Sequence, residues 1–264
     1  MAAVLLDGAA IAAHVLARLK ERVHALHARN VQPGLAAILI GENPASQIYI
    51  RNKVQACHDN GIYSEVHRYP RETREEEVLE IIGHLNADPK IHGVLLQLPL
   101  PPQLDSERLL QSIDPAKDVD GFNWMNLGAL VAGRTRLVPC TPLGVMAMLD
   151  YAQVPLEGRS AVVVGRSAIV GKPLALMLIA RGATVSVCSS KTADLRQFTS
   201  MADVLVVAVG NPGLVDGSMI KPGAVVIDVG INRLPGGKIV GDVDFASASR
   251  IDRKSTRLNS SHGY

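Results

Sequence analysis

Four short apolar runs in the second half of the chain constrain its fold most. They are "AVVVG" (161–165), "TVSVC" (184–188), "DVLVVAVG" (203–210) and "AVVIDVG" (224–230). Each is rich in β-branched residues and closed by glycine or a polar residue. Runs that stay apolar, instead of alternating, mark strands covered on both faces, as in a parallel sheet flanked by helices. A helical pattern from Lys172 to Arg181 fits between the first two runs and completes a βαβ unit.

The first half keeps the same rhythm. Ala9 to Arg29 reads as a helix with Leu16, Leu19, Val23 and Leu26 on one side. "LAAILIG" (35–41) reads as a buried strand, and a helix follows from Pro44 to about Asn60, stopped by Gly61. "IYSEVHRY" alternates like a strand, and Thr73 is a candidate N-cap for the acid-rich helix of "TREEEVLEIIGHLNAD". "IHGVLLQ" (91–97) is the next strand, and "LPLPP" ends it. The expected fold class is α/β: two α/β domains across a cleft, the second a Rossmann-like parallel-sheet domain. The expected limits are 1–140 and 141–249, with a helix from Thr141 to Ala152 bridging them. Residues 250–264 form an atypical tail, polar, basic and without period, expected to be disordered.

Composition narrows the function classes. Only 3% of the 264 residues are aromatic while 47% are hydrophobic, so the core must be aliphatic. A net charge of +2 gives no reason to expect nucleic acid. No apolar run approaches the roughly 18 residues of a membrane span. Cys57, Cys140 and Cys188 form no CxxC pair, which suits a reduced, cytoplasmic setting, and Cys140 reads as a buried small apolar residue. No metal is expected, because there is no HExxH and His24 and His27 lack a nearby third ligand.

"VVVGRSAIVGKP" (162–173) joins a strand to a helix N-terminus, where free backbone N–H groups and the positive dipole end suit a phosphate. Gly165 permits the tight turn, Gly171 permits helix and strand to approach, and Ser167 stands where a dinucleotide fingerprint has its second glycine. An ordinary βα turn is the competing reading. The following strand ends in "CSSKT", with no acid for a ribose 2′-hydroxyl. Arg166, Ser190 and Lys191 suit a 2′-phosphate instead, so NADP is expected over NAD.

In "NPASQIYIRNK", Tyr49 and Lys53 lie four apart and share a helix face. A lysine in a dry cleft can serve as base and then acid; a solvated lysine beside a half-buried tyrosine is the plainer alternative. Gln97 sits at a strand's C-terminal end, where open α/β sheets carry ligands, although a loop-stabilising amide would also fit. "PAKDVDGFN" either makes a structural turn or offers a carboxylate to an amino-pyrimidine edge. Thr141, in "PCTPLG", can cap a helix or face the cleft.

Taken together, "NPASQIYIRNK", "LLQLPLPP", "KDVDGFN", "PCTPLG", "GRSAIVGKP" and "GDVDF" closely resemble the bifunctional methylenetetrahydrofolate dehydrogenase/cyclohydrolase family, in family order over roughly residues 1–249. The resemblance implies a folate-binding catalytic first domain and an NADP-binding second one. It implies oxidation of 5,10-methylenetetrahydrofolate by NADP and hydrolysis of the methenyl product to 10-formyltetrahydrofolate. Lys53 is then the key catalytic residue, chiefly for hydrolysis. Tyr49 stacks on the folate, Gln97 tunes Lys53, Asp120 holds the pterin, and Pro99 and Leu100 complete the substrate site. Arg166, Ser167 and Ser190 match NADP-binding positions, and Thr141 and Ile231 match positions near the nicotinamide. Gly165, Ile169, Val170, Gly171 and Gly210 complete the cofactor site. A homodimer is also implied. After "GDVDF" the family's Pro-Gly-Gly-Val-Gly-Pro-rich loop is missing, which leads to the expectation of a truncated or foreign end, or of a divergent natural one. A folate- and NADP-binding remnant with little turnover is therefore the alternative to an active enzyme.

Overall fold

The computed structural model describes residues 4–251 and 255–257. The chain forms two compact units. One runs from Ala13 to Val138; the other joins the chain up to Ala12 to the described residues from Pro139 on. The first residues thus cluster with the second unit, whereas the sequence reading began the first domain at residue 1. Leu6 and Ile11 are buried in the same core as Val145 and Leu149. Two apolar side chains in a short N-terminal segment carry no signal of which core takes them. Helix α1, Gly8–His27, begins in that segment, and the Asp7 carboxylate accepts the amides of Ala9 and Ala10.

In the Ala13–Val138 unit, β1 (Gly34–Ile40) lies between β2 (Tyr63–Tyr69) and β3 (Gly93–Leu96), all parallel. Its side chains alternate between two cores. Ala36, Ile38 and Ile40 face Val78, Ile82 and Leu85 of α3 (Glu75–Ala87) and Leu109 of α4 (Ser106–Ser112), while Ala37 and Leu39 face Ile50 of α2 (Pro44–Asp59). Thr73 does not cap α3. The cap position is Arg74, without a side-chain bond, and Thr73 Oγ1 donates to the Pro70 carbonyl at 2.7 Å. A hydroxyl beside a turn carbonyl is satisfied locally, one residue before the helix starts. Helix α5 spans Trp124–Val131.

In the second unit, α6 (Cys140–Tyr151) precedes a parallel five-stranded sheet. Its strands are β4 (Ser160–Val164), β5 (Thr184–Cys188), β6 (Val204–Val207), β7 (Val225–Asp228) and β10 (Ser255–Arg257), in the order β10-β7-β6-β4-β5. Helices α7 (Gly171–Ala180) and α8 (Leu195–Thr199) cross between them. A two-stranded ribbon, β8 (Asn232–Arg233) and β9 (Ile239–Val240), precedes α9 (Phe245–Ala248). The four apolar runs are β4, β5, β6 and β7, but only β4, β6 and β7 are central and buried on both faces; β5, expected to be covered like the others, lies at the sheet edge, where it has a neighbour on one side only and is largely uncovered. Val163, Val206 and Ile227 face Leu174 and Leu178 of α7, and Val162, Val164, Leu205 and Val226 face the opposite core.

Two expectations are corrected. Ser255–Arg257 was expected to be disordered, yet it pairs in parallel with β7. A ladder is made by backbone N–H and C=O groups, which a polar stretch supplies as well as an apolar one, and edge strands are commonly polar. The rest of the tail, 252–254 and 258–264, lies outside the described residues. Cys140 is exposed rather than buried, because it opens α6 on the turn that faces solvent.

Leu178 is fully buried between α7 and the sheet. Leu178→Ala should lower unfolding free energy by about 2–5 kcal/mol. Urea denaturation checks this, and an unmoved midpoint would contradict the assigned core.

Candidate functional site

Two groups of side chains emerge, one in each unit. In the first unit, Asn43 caps α2, its Oδ1 accepting the amides of Ala45 and Ser46, with Pro44 at the first helical position. The helix carries Tyr49 and Lys53, both half-buried, on one face. Ser46 Oγ donates to the Leu98 carbonyl at 3.4 Å, which ties α2 to the loop after β3. In that loop Gln97 extends the ladder through its amide to Ile38 O, and its Nε2 donates to Leu98 O at 2.8 Å. Gln97 Oε1 is buried with no hydrogen-bond partner among the described residues. An orphaned buried acceptor is rare in a folded chain and marks a place where an outside donor belongs. Pro99 is exposed and Leu100 half-buried beside it.

The "KDVDGFN" turn sits against β3. Val94 N donates to Lys117 O at 2.7 Å, and Asp118 bridges Val94. Asp118 is 2% exposed, and its Oδ2 accepts Asn123 N at 2.7 Å and Asn126 Nδ2 at 3.0 Å. Gly121, at φ 67°, takes the left-handed backbone that closes the turn. These bonds fix Asp120, whose carboxyl titrates at about 6. Burial pushes it up, the Lys53 charge pulls it down, and the Asp118 charge adds to the rise. So Lys53, on α2, and Asp120, on the turn after β3, share an electrostatic environment. The structure brings together Tyr49, Lys53, Gln97 and Asp120 on elements that touch. Asp118, Asn123 and Asn126 are the supports that sequence reasoning left without a role.

In the second unit the sheet order places β5 on one side of β4 and β6 on the other. The carboxyl ends of β4 and β6 therefore form the switch point where open α/β sheets bind ligands. Gly165 ends β4 at φ 125°, and a Cβ there would run into Ala208 O of the neighbouring strand's exit. A Cβ on Gly171 would strike Gly165 O. No side chain fits at either position, so strand and helix approach backbone to backbone, and the turn between them, Arg166 to Ile169, is left exposed beside the α7 N-terminus, as a pyrophosphate cradle requires. Ser167 Oγ accepts the amides of Val170 and Gly171 at 3.1 and 3.3 Å, which fixes the turn into α7 and leaves the hydroxyl proton free to donate. Arg166, Ser167 and Ile169 are exposed and Val170 is half-buried.

Ser190 is exposed after β5, in a turn fixed by Ser189 N to Thr192 Oγ1 at 2.9 Å and Lys191 N to Ser189 Oγ at 3.2 Å. Gly210 and Ile231 are exposed in the loops after β6 and β7, and Thr141 is exposed in the first turn of α6. All the expected cofactor residues thus belong to one unit, and the loops after β4, β5, β6 and β7 leave the same sheet edge. Sequence reasoning missed Asp228 and Asp242, which are buried at that edge; "GDVDF" was the only signal, and it carried no assignment.

A dinucleotide cradle at a parallel-sheet switch point, with a buried carboxyl and a lysine in a separate α/β unit, defines an α/β oxidoreductase-type architecture. The comparisons give the family. The tetrahydrofolate dehydrogenase/cyclohydrolase catalytic domain matches residues 6–120, and the tetrahydrofolate dehydrogenase/cyclohydrolase NAD(P)-binding domain matches residues 139–261. The bifunctional protein FolD 2 of Bordetella pertussis is 54% identical over 251 residues, 95% of this chain and 89% of that protein. The bifunctional FolD methylenetetrahydrofolate dehydrogenase/cyclohydrolase of Campylobacter jejuni superposes with a TM-score of 0.95 at 46% identity, over 98% of this chain and 92% of that one. The Trypanosoma brucei dehydrogenase-cyclohydrolase, solved with NADP cofactor and inhibitor, gives 0.91 at 35% identity over 98% and 91% of the two chains. The chain belongs to the tetrahydrofolate dehydrogenase/cyclohydrolase family. It is an enzyme of folate one-carbon chemistry, with dehydrogenase and cyclohydrolase activities. Among the described residues no helix is long and apolar enough to cross a membrane.

The raised Asp120 value has a defined sign. The folded state binds this proton more tightly than the unfolded chain, so stability from this group falls as pH rises from about 4 through about 6. A carbon-13 titration of the Asp120 carboxyl should show a midpoint near 6, moving up in Lys53→Met because the lysine charge is removed. A midpoint near 4 would contradict the burial of this group.

Proposed function

We propose that one folate site in the Ala13–Val138 unit serves both activities: oxidation of 5,10-methylenetetrahydrofolate and hydration of the methenyl product to 10-formyltetrahydrofolate. The observation that carries this reading is the Asp120 carboxyl, pushed up to about 6 within the field of Lys53. A carboxyl group that titrates near neutrality can accept two parallel hydrogen bonds from the amino-pyrimidine edge of a pterin. Tyr49, one turn before Lys53, offers its ring to the same flat system, with Pro99 and Leu100 as apolar neighbours. The orphaned Gln97 oxygen would accept a hydrogen bond from Lys53 Nζ or from the substrate.

Dehydrogenation asks little of the protein beyond positioning and exclusion of water. NADP, when bound, supplies the hydride acceptor. Arg166 and Ser190, with no acid after β5, would hold its 2′-phosphate; Gly165, Ser167 and Gly171 would cradle its pyrophosphate. Ile169, Val170, Gly210, Ile231 and Thr141 would line its remaining length. The close strand–helix approach at Gly165 and Gly171, with Arg166 and Ser167 exposed on the turn between them, fits that group.

Hydration needs a proton carrier. Water oxygen bonds to the methenyl carbon and gives a proton to Lys53. The bond from that carbon to N5 then breaks, and N5 takes a proton back while the second water proton leaves to solvent. We place the enzyme in the reduced cytoplasm, acting on tetrahydrofolate derivatives as a homodimer, with no nucleic-acid or membrane partner and no metal.

General acid–base catalysis is worth about 10²–10⁴-fold. Lys53→Ala should therefore remove at least about a hundredfold of cyclohydrolase rate and less of the dehydrogenase rate. Decay of methenyltetrahydrofolate absorbance measures it, and an unchanged rate would overturn the role of Lys53.

A further inference from the structure

Asp242 stands outside every group assigned so far, and it is fully buried. All of its acceptor capacity is used. Oδ2 accepts the backbone N–H groups of Val209 and Gly210 at 2.7 and 2.9 Å. Oδ1 accepts the Asn211 N–H and Asn232 Nδ2, each at 2.8 Å. Three of these donors are successive amides of the loop after β6, and the fourth, Asn232, opens β8 directly after the loop that follows β7. One carboxylate therefore fastens together the two loops that carry Gly210 and Ile231.

Asp242 is itself held. Asp228, the last residue of β7, accepts Asp242 N and Gly230 N on Oδ1, both at 2.9 Å, and Val243 N on Oδ2 at 3.1 Å. Glycine is needed on both sides of this lock: a Cβ on Gly230 would meet the Asp242 carboxyl, and one on Gly241 would meet the Asp228 carboxyl. No described ion pair includes Asp242. Its donors are all neutral amides, so the charge is stabilised by directional bonds, which work only in one loop geometry.

That geometry reaches the cradle. Ala208 N donates to Val164 O at 2.8 Å, and Gly165 packs directly on Ala208 O. The residue that precedes the caged amides is thus in backbone contact with the loop after β4. A shift of 209–211 would be felt at both Gly210 and Gly165.

We infer that Asp242 is a positioning residue for the dinucleotide: it touches no cofactor, yet it sets cofactor affinity by holding the loops after β6 and β7 in register with the Gly165 turn. This rests on the NADP reading given above. Two variants of the full chain test it. Asp242→Asn leaves one acceptor oxygen and turns an amino group toward N–H donors, so two of the four bonds are lost. Asn232→Ala removes a single donor and leaves the backbone cage intact.

Affinity for NADP is read by calorimetry, and amide hydrogen exchange is read at 209–211 with Val162 to Val164 of β4 as an internal reference. Asp242→Asn should weaken NADP binding about tenfold or more, and Asn232→Ala by a few-fold, since hydrogen bonds to a charged group are the stronger kind. Exchange at 209–211 should quicken while β4 stays protected. A merely structural role would loosen β4 as well and leave loop and sheet moving together, which would overturn the inference. Wild-type NADP affinity in both variants would overturn it too. If Asp242→Asn does not fold, Asn232→Ala decides. If the unsubstituted chain bound no NADP, the cofactor reading would fall and take the inference with it, a result distinct from a defect confined to the variants.

Discussion

Strand β4 and helix α7 meet backbone to backbone at Gly165 and Gly171, and the nucleotide unit is arranged around that contact. Neither position has room for a Cβ, because the oxygens of Ala208 and Gly165 occupy the space. Three consequences follow. The turn is tight enough to bring the α7 N-terminus over the strand end. The turn between them, Arg166 to Ile169, stays exposed beside the helix N-terminus, which suits a phosphate. And β4 is pressed against the exit of β6, so the switch point of the sheet and the cradle are one place. Ser167 completes it by holding the amides of Val170 and Gly171 with its oxygen while keeping a proton to give.

The Ala13–Val138 unit relies on the opposite device, a charge kept out of water. Asp118 is buried and its Oδ2 is answered by two donors, so it is a fixed anion that holds its turn. Asp120, two residues later, is pushed up to about 6, chiefly by burial. Gln97 Oε1 is buried and unanswered. Unsatisfied polarity in a folded unit destabilises it, and it persists where a ligand supplies the missing partners. Lys53 lies within reach of the charge on Asp120, so the two groups that the proposed function assigns to pterin binding and proton transfer are electrostatically linked.

The central sheet cores and the grouping of the two sets of candidate site residues are legible because they are local. The runs at 161–165, 203–210 and 224–230 are apolar on both faces, and that alone announces buried parallel strands. Tyr49 and Lys53 share a helix face by spacing, and Gly165, Ser167 and Gly171 follow one another along a single turn. What the sequence hid is long-range. Nothing near Leu6 and Ile11 reveals that their core lies beyond residue 139. Ser255–Arg257 is polar, so its pairing with β7 leaves no pattern to read. Asp242 gathers donors from positions 209–211 and 232, and no spacing rule connects those to "GDVDF". Thr73 misled because a hydroxyl near a helix start resembles a cap until its bond to Pro70 O is seen.

The central claim is that this chain joins a dinucleotide cradle selective for a 2′-phosphate to a folate site with its own proton carrier. The most direct test offers the purified chain 5,10-methylenetetrahydrofolate with NADP or with NAD and follows reduced cofactor at 340 nm, with the methenyl and 10-formyl products resolved by chromatography. The account predicts reduction with a clear preference for NADP, and 10-formyltetrahydrofolate as the final product. Absence of reduction, or a preference for NAD, would contradict it.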